Sequence, residues 1–279
     1  MAVVISSSLV ISDTVSGGGV IGADNPVIGY ENLITDGNTS STTEETDYPA
    51  TNLANVSTAL RWQGVAASPV IDEYLTFALA TAELVDYVGI AKHNFYTGQI
   101  AVSVEVLNSA TSPASWDEVI APFIPSSDGP LIMRFTPQAI ESIRVRLQPG
   151  SAAPRAGVAY AGRLLVLQRR IYVGHTPVNF ATVQSLANHY SISGDFLGRI
   201  VLSEKTELSV RLENLTPAWY REYLEPFRLA AKTVPFFFAW RPASYPFEVG
   251  FVWTTKDPQP ANARPNGMMS FSFDCGGVT

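Results

Sequence analysis

Cysteine is nearly absent from this sequence: Cys275 is the only one in 279 residues. No internal disulfide can form, and a lone cysteine near the C-terminus reads as a small buried apolar residue rather than a nucleophile. Histidine is almost as scarce. His93, His175 and His189 share no H-x-x-x-H or comparable ligand spacing, so neither a metal nor an organic cofactor is expected. There is no G-x-S-x-G elbow and no P-loop; "SGGGVIG" is glycine-rich, but no lysine follows it. Charge is sparse as well, 15% of residues against 46% hydrophobic. Such a balance belongs to a folded chain, and a surface poor in charge suits contact with other protein. No run approaches the ~20 apolar residues of a membrane span. The opening "MAVVISSSLVISDTVSGGG" lacks the basic flank and long apolar core of a signal peptide. The reading is a chain made and folded in a cytoplasm, with no membrane insertion.

Positive charge is missing from one region in particular. The first basic residue is Arg61, and seven acidic residues precede it. From Val173 onward nine acidic and nine basic residues cancel, so the net charge of -7 lies wholly in the first part. An acidic chain is a poor partner for nucleic acid.

What is present is strand grammar. Residues 1–28 are rich in Ser, Gly and Val and read as an N-terminal arm or a disordered tail; "VVISSSLVIS" has the composition of a strand. Across 29–172, "EYLTFALA", "VDYVGIAKHNF", "IAVSVEVL", "GPLIMRF", "ESIRVRLQP" and "YAGRLLVLQRRIY" alternate or run apolar between turn-rich gaps. That pattern predicts a β-sandwich or jelly roll. Within it, "SPASWDEVI" offers one helical turn, with Ser115 as cap and Glu118 three residues on. Across 173–279 the grammar changes to an α+β unit of antiparallel strands and one helix. Thr216 is the expected N-cap, Pro217 the first helical residue, and Trp219, Tyr223, Phe227 and Ala230 recur near helical spacing. Pro226 is expected to kink or end that helix.

The order "ENLITDGNTSS", "YPATNLANVSTALRW", "YLTFALATAELVDYVGIAKHNF", "VSVEVLNSATSPASWDEV", "ESIRVRLQPG", "AGRLLVLQRRIY" resembles the galactose-binding-like (discoidin-type) jelly roll over about half of the chain. Asn52-Leu53 and Leu60-Arg61-Trp62 carry the match at its first loop. The second half, with "FFFAW", "YPFEVGFVW", "MMSFSFDC" and the loop "TKDPQPANARPNG", is similar to the tail-tube-like domains of long-tailed (siphovirus-type) bacteriophage tail-tip proteins, the distal tail proteins among them. In that group the tube-like domain comes first; here the order is reversed. The resemblance implies a structural subunit of the virion tail tip, made in the host bacterial cytoplasm. It would form a homo-oligomeric ring, a hexamer or trimer, and contact other phage tail proteins. The alternative it leaves open is an adhesin whose jelly roll binds a host-surface glycan.

Catalysis has little to work with. Glu44-Glu45, Asp72-Glu73 and Asp117-Glu118 are neighbours, and neighbours on a strand point to opposite faces, which suits no glycosidase pair. No enzyme is expected. Arg61, Trp62 and Trp116 are the residues available for glycan contact, although "YPATNLANVSTALRW" also reads as a loop that plugs one end of the sandwich. Trp219, Trp240 and Trp253 read as core or subunit interface. Lys256, Asp257, Arg264 and Asn266 mark the 255–267 loop as an assembly element, and "PFFFAW" and "FEVGFVW", apolar on both faces, read as sheet that meets a neighbouring subunit.

Overall fold

In a computed structural model, residues 3–9, 14–15, 19–65, 71–262 and 267–278 are described. The fold is mainly β, a sandwich joined to an antiparallel sheet with one helical segment. Two long strands, Glu73–Ala91 and Leu131–Leu147, build the sandwich by bending. Their pairing breaks register between Arg134 and Gln138 and again between Ile140 and Ser142. Bulges of this kind bend a strand and turn it into a second layer. On one side of the bend, the paired halves are flanked by Thr39–Ser41, Val102–Asn108 and Ser115–Phe123. On the other side they are flanked by Val158–Gly162 and, in parallel, by Val3–Ile5. Leu75, Phe77, Val104, Ile143 and Val145 from the first layer meet Val88, Ile90, Leu131, Met133 and Ala159 from the second in one buried core.

Alternation along the second layer splits its residues between two cores. Val88 and Ile90 face inward, whereas Tyr87, Ala91, Ile132, Val158 and Tyr160 face the other way and are just as buried. What covers them is the second sheet, ordered Leu165–Val166, Val27–Gly29, Phe236–Ala239, Val249–Thr254, Met269–Val278, Phe196–Leu215, Thr182–Tyr190, with Gln259–Asn262 also beside Met269–Val278. Its strands split in the same way. Phe237, Ala239, Val249 and Phe251 pack on the sandwich; Phe236, Phe238 and Val252 pack on the helical segment. A sheet buried on both faces needs an unbroken apolar run, which is what "PFFFAW" supplies. The faces of Phe236–Ala239 are therefore consumed inside the chain, which corrects the expectation from sequence for that strand, while Phe247 and Trp253 of "FEVGFVW" stay exposed.

Two glycines make the close approach of these sheets work. A Cβ on Gly89 of the sandwich would stand 2.7 Å from the Phe237 ring, and one on Gly29 of the second sheet 2.6 Å from the Tyr87 ring. Each sheet thus seats an aromatic from the other on bare backbone. The Tyr87 hydroxyl donates to the Glu31 carbonyl (2.6 Å) and the Tyr160 hydroxyl to the Pro235 carbonyl (3.1 Å).

Further local readings differ from the structure. Val3–Ile5 is an edge strand with Val3 buried, not part of a free arm. Val27–Gly29 and Leu165–Val166, read as arm and sandwich, pair in the second sheet. Ser115–Phe123 is a strand; the Ser115 hydroxyl bonds Thr111 and Asp117 instead of capping a turn, and Ile120 is buried in the sandwich. The helical segment begins at Pro217, but the Thr216 side chain accepts from Gln168 rather than capping it. It neither ends nor breaks before Pro226: Tyr220–Leu224 is a π turn, and Glu225–Ala230 continues as α-helix. The wider turn sits where the proline ring and its missing N–H would disrupt an α-helical ladder.

Candidate functional site

Outward-facing residues of the first sandwich layer form an aromatic and charged platform. Tyr74, Arg144 and Trp116 come from three strands of that layer, with the Arg144 guanidinium lying 4.2 Å from the Tyr74 ring centre and 4.1 Å from that of Trp116. Glu105 holds the guanidinium in place, accepting from its Nε at 2.6 Å. Arg146, two residues on and so on the same face, donates to Asp72 (2.8 Å) and approaches Glu105 (3.6 Å). Glu118, opposite Glu105 and two residues from Trp116, shares this face, so two cations stand beside three carboxylates. Hydrogen bonding to Asp72 raises the Arg146 pKa further. Tyr74, Trp116, Arg144 and Arg146 are all half-buried and within reach of solvent.

The remaining glycan candidates lie elsewhere. Trp62 is fully buried, and its indole N–H donates to the Thr43 carbonyl at 3.1 Å. No sugar can stack on it. It belongs to the loop plug, where the Asn52 amide donates to the Arg61 carbonyl (2.8 Å), Glu44 accepts from the Ala50 N–H (2.8 Å), and Leu53 is buried. Arg61 sits over the Tyr48 ring at 4.2 Å, so the structure does not bring it to Trp116. The carboxylate neighbours are likewise engaged: buried Glu73 accepts from the Thr43 hydroxyl (2.6 Å) and Asp117 from the Asn108 amide (2.7 Å).

The expected assembly loop also differs. Gln259–Asn262 folds back as a strand on Met269–Val278. Lys256 pairs with Asp274 (3.6 Å) and Asp257 with Lys232 (3.7 Å), both exposed pairs worth little. Arg264 and Asn266 lie outside the described residues. Of the tryptophans in the second sheet region, Trp219 is core, Trp240 stacks on Tyr245 (5.5 Å) and donates to Glu248, and Trp253 is 42% exposed.

Among the described residues no group of three or more His, Cys, Asp and Glu side chains is placed to hold a metal, and no helix is long and apolar enough to cross a membrane. Burial holds His93 and His175 near a pKa of about 4. His93 stacks on Phe95 with ring centres 4.4 Å apart; His175 packs against Phe238 and Trp240. Both are neutral when folded, whereas in the unfolded chain they take up protons below pH 6.5. Their contribution is complete above pH 6.5 and is lost as pH falls toward 4. Chemical denaturation as a function of pH should therefore show stability declining across that window, by about 2–3 kcal/mol from His93 alone. His93→Gln should flatten the slope. Glu225, lowered to about 2 by Arg228, acts in a separate window, between pH 4.5 and 2.

Sequence reading missed Tyr74, Arg144, Arg146 and Glu105. Their signal was present as charged residues two apart in "IRVRL" and "VEV", but only strand pairing shows that Arg144 lies opposite Glu105. No protein family matches the sequence, and no curated protein matches it. Similar solved structures cover about half of the chain. One is chitosan-binding module 1 of a chitosanase/glucanase from Paenibacillus sp. IK-5, at 15% identity and TM-score 0.40, covering 48% of this chain and 100% of that one. Another is a module of Clostridium perfringens, CpGH89CBM32-5, in complex with GalNAc-β-1,3-galactose, at 12% identity and TM-score 0.39, covering 48% and 100%. A third is the family 32 carbohydrate-binding module of C. perfringens NanJ in complex with galactose, at 15% identity and TM-score 0.38, covering 47% and 97%. At these scores nothing about a ligand or a role follows for this chain.

Proposed function

We propose that this protein is a non-catalytic carbohydrate-recognition protein that holds an oligosaccharide against the Tyr74–Arg144–Trp116 platform. The supporting observation is one guanidinium stacked over two half-buried aromatic rings on the outer sheet face, 4.1 and 4.2 Å from their centres, with Asp72, Glu105 and Arg146 alongside. Sugar rings present C–H faces to flat aromatic surfaces and hydroxyls to charged, planar groups; a site of this kind needs few polar contacts to fix orientation. An oligosaccharide array followed by calorimetry, with galactose, GalNAc-β-1,3-galactose and chitotriose among the probes, tests it. Trp116→Ala should weaken binding about tenfold or more, in line with the loss of one aromatic contact. Arg61→Ala should leave it unchanged. Absence of binding by the wild-type protein at millimolar sugar, or unaltered affinity in Trp116→Ala, overturns the reading.

A second reading keeps the tail-tip role, a ring subunit that links tail proteins in a virion. One observation favours it: the sandwich is packed onto the second sheet through Tyr87, Tyr160, Phe237 and Phe251, all fully buried. A recognition module meant to swing on a linker has no need of such a joint, whereas a subunit of a rigid particle does. Co-purification of the protein with phage tail proteins tests this reading; recovery of the chain free of any of them counts against it.

A further inference from the structure

The least explained part of the molecule is a β-ribbon. Strand Phe196–Leu215 has 20 residues, but its pairing with Met269–Val278 begins only at Thr206. Residues before that pair with Thr182–Tyr190 alone. The ribbon therefore leaves the sheet for the length of the nine-residue strand, roughly 30 Å. Among the described residues none covers either face: of 24 exposed large hydrophobic residues, nine fall within 183–202. Opposed residues share a face. Leu186 lies opposite Val201 and Tyr190 opposite Phe196 on one face, Ala187 opposite Ile200 on the other. Ile192 at the tip is completely exposed, and Leu197 is 67% exposed. The ribbon's polar groups are already matched, Gln184 to Glu204 (2.8 Å), Arg199 to Asn188 (2.9 Å) and Lys205 to Glu207. A two-stranded ribbon is marginal in water by itself, and this one leaves its apolar side chains bare.

We infer that the 182–206 ribbon is a self-association arm that docks on a second copy of this chain. Three observations favour a copy over another occupant. Residues 173–279, which hold the ribbon together with Phe180 and Phe247, carry nine acidic and nine basic groups, so the net charge of -7 on each copy lies outside these apposed parts. The body offers apolar side chains of its own: Phe180 is 73% and Phe247 53% exposed, and Phe247 edges a mixed cleft of about 420 Å³ that Pro130, Ser126, Ser127 and Asn179 also line. Finally, nine half-exposed side chains offer on the order of 800 Å², the share each partner contributes to an ordinary specific interface. Arm and receiving surface are different patches, so the contact is head-to-tail and propagates into a ring or a filament. The inference stands apart from the carbohydrate reading, since the ribbon belongs to the other sheet.

Light scattering and sedimentation velocity from 1 to 50 µM test it. The wild-type protein should show at least twice the monomer mass. A variant carrying Tyr190→Ser, Ile192→Ser, Phe196→Ser and Leu197→Ser should be monomeric, with unchanged near-UV circular dichroism. Phe247→Ser on the receiving surface should shift the equilibrium the same way. Should the fourfold variant fail to fold, Ile192→Cys carries the test, because Cys275 is buried: a fluorophore at position 192 should shift to the blue as concentration rises. A wild-type monomer throughout the range, an oligomeric fourfold variant or an unshifted fluorophore each overturns the inference. So does a wild-type monomer that binds vesicles of phosphatidylcholine and phosphatidylglycerol, since the ribbon's occupant would then be lipid.

Discussion

Phe237→Ala should lower stability by about 3–5 kcal/mol, the usual cost of removing a buried phenylalanine, while leaving the wild-type protein's single thermal transition single and merely lower. Phe237 is fully buried in the core between the sandwich and the second sheet, 5.0 Å from Phe251 and 5.5 Å from Tyr160 by ring centres. Its ring lies on the backbone of Gly89. Truncation opens a cavity between two sheets, and neither can collapse into it without shifting the strands that Tyr87 and Gly29 hold together. Because the joint is a core and not a contact between loops, both sheets should unfold in one step. Calorimetry decides the matter. Two transitions in the wild-type protein, with Phe237→Ala moving only one of them, would show that sandwich and second sheet are independent units.

Trp62→Ala carries a comparable cost, again about 3–5 kcal/mol, and should leave affinity for any oligosaccharide untouched in the fraction that remains folded. The indole fills the end of the sandwich, and its N–H is bonded to the Thr43 carbonyl. Thr43 in turn donates to Glu73, a buried carboxylate with a second bond from the Thr43 N–H (3.1 Å). Loss of the indole strips a partner from that network as well as opening a cavity, and a buried polar group left without its partner adds its own penalty. Trp62→Phe refills most of the volume without the N–H; it should recover most of the stability but not all. Denaturant midpoints of Trp62→Phe and the wild-type protein measure the difference, and equal midpoints would remove the Thr43 bond from the account.

The strands, their apolar runs and the start of the helical segment were legible because each rests on a local signal: alternation in "EYLTFALA", an apolar run in "PFFFAW", Pro217 after Thr216. Pairing across distance was not legible. Leu165–Val166 and Val27–Gly29 look like any short apolar segments until they are found side by side at the edge of one sheet. The both-face apolar pattern of Phe236–Ala239 was read correctly as burial on two sides, but sequence does not say whether the second cover is the same chain or a copy. Ser115–Phe123 was misread because a cap signal is local, while the burial of Ile120 that decides the matter is not. For the site, composition singled out tryptophans without distinguishing a core indole from a surface one: Trp62 and Trp116 look alike in sequence and differ completely in environment. The ribbon escaped notice for a related reason, since "GRIVLSEKTELSVRLEN" alternates throughout and only the second half of it has a sheet to join.

The most direct test of the carbohydrate reading follows the five tryptophan indole N–H signals in a two-dimensional nitrogen–proton spectrum during titration with the tightest oligosaccharide from the array. The Trp116 signal should move in a saturable way with the dissociation constant found by calorimetry, while that of buried Trp62 stays in place. Saturation by sugar with Trp116 unmoved, or with Trp253 or Trp240 moving in its stead, would place the binding surface off the Tyr74–Arg144–Trp116 platform and contradict the account.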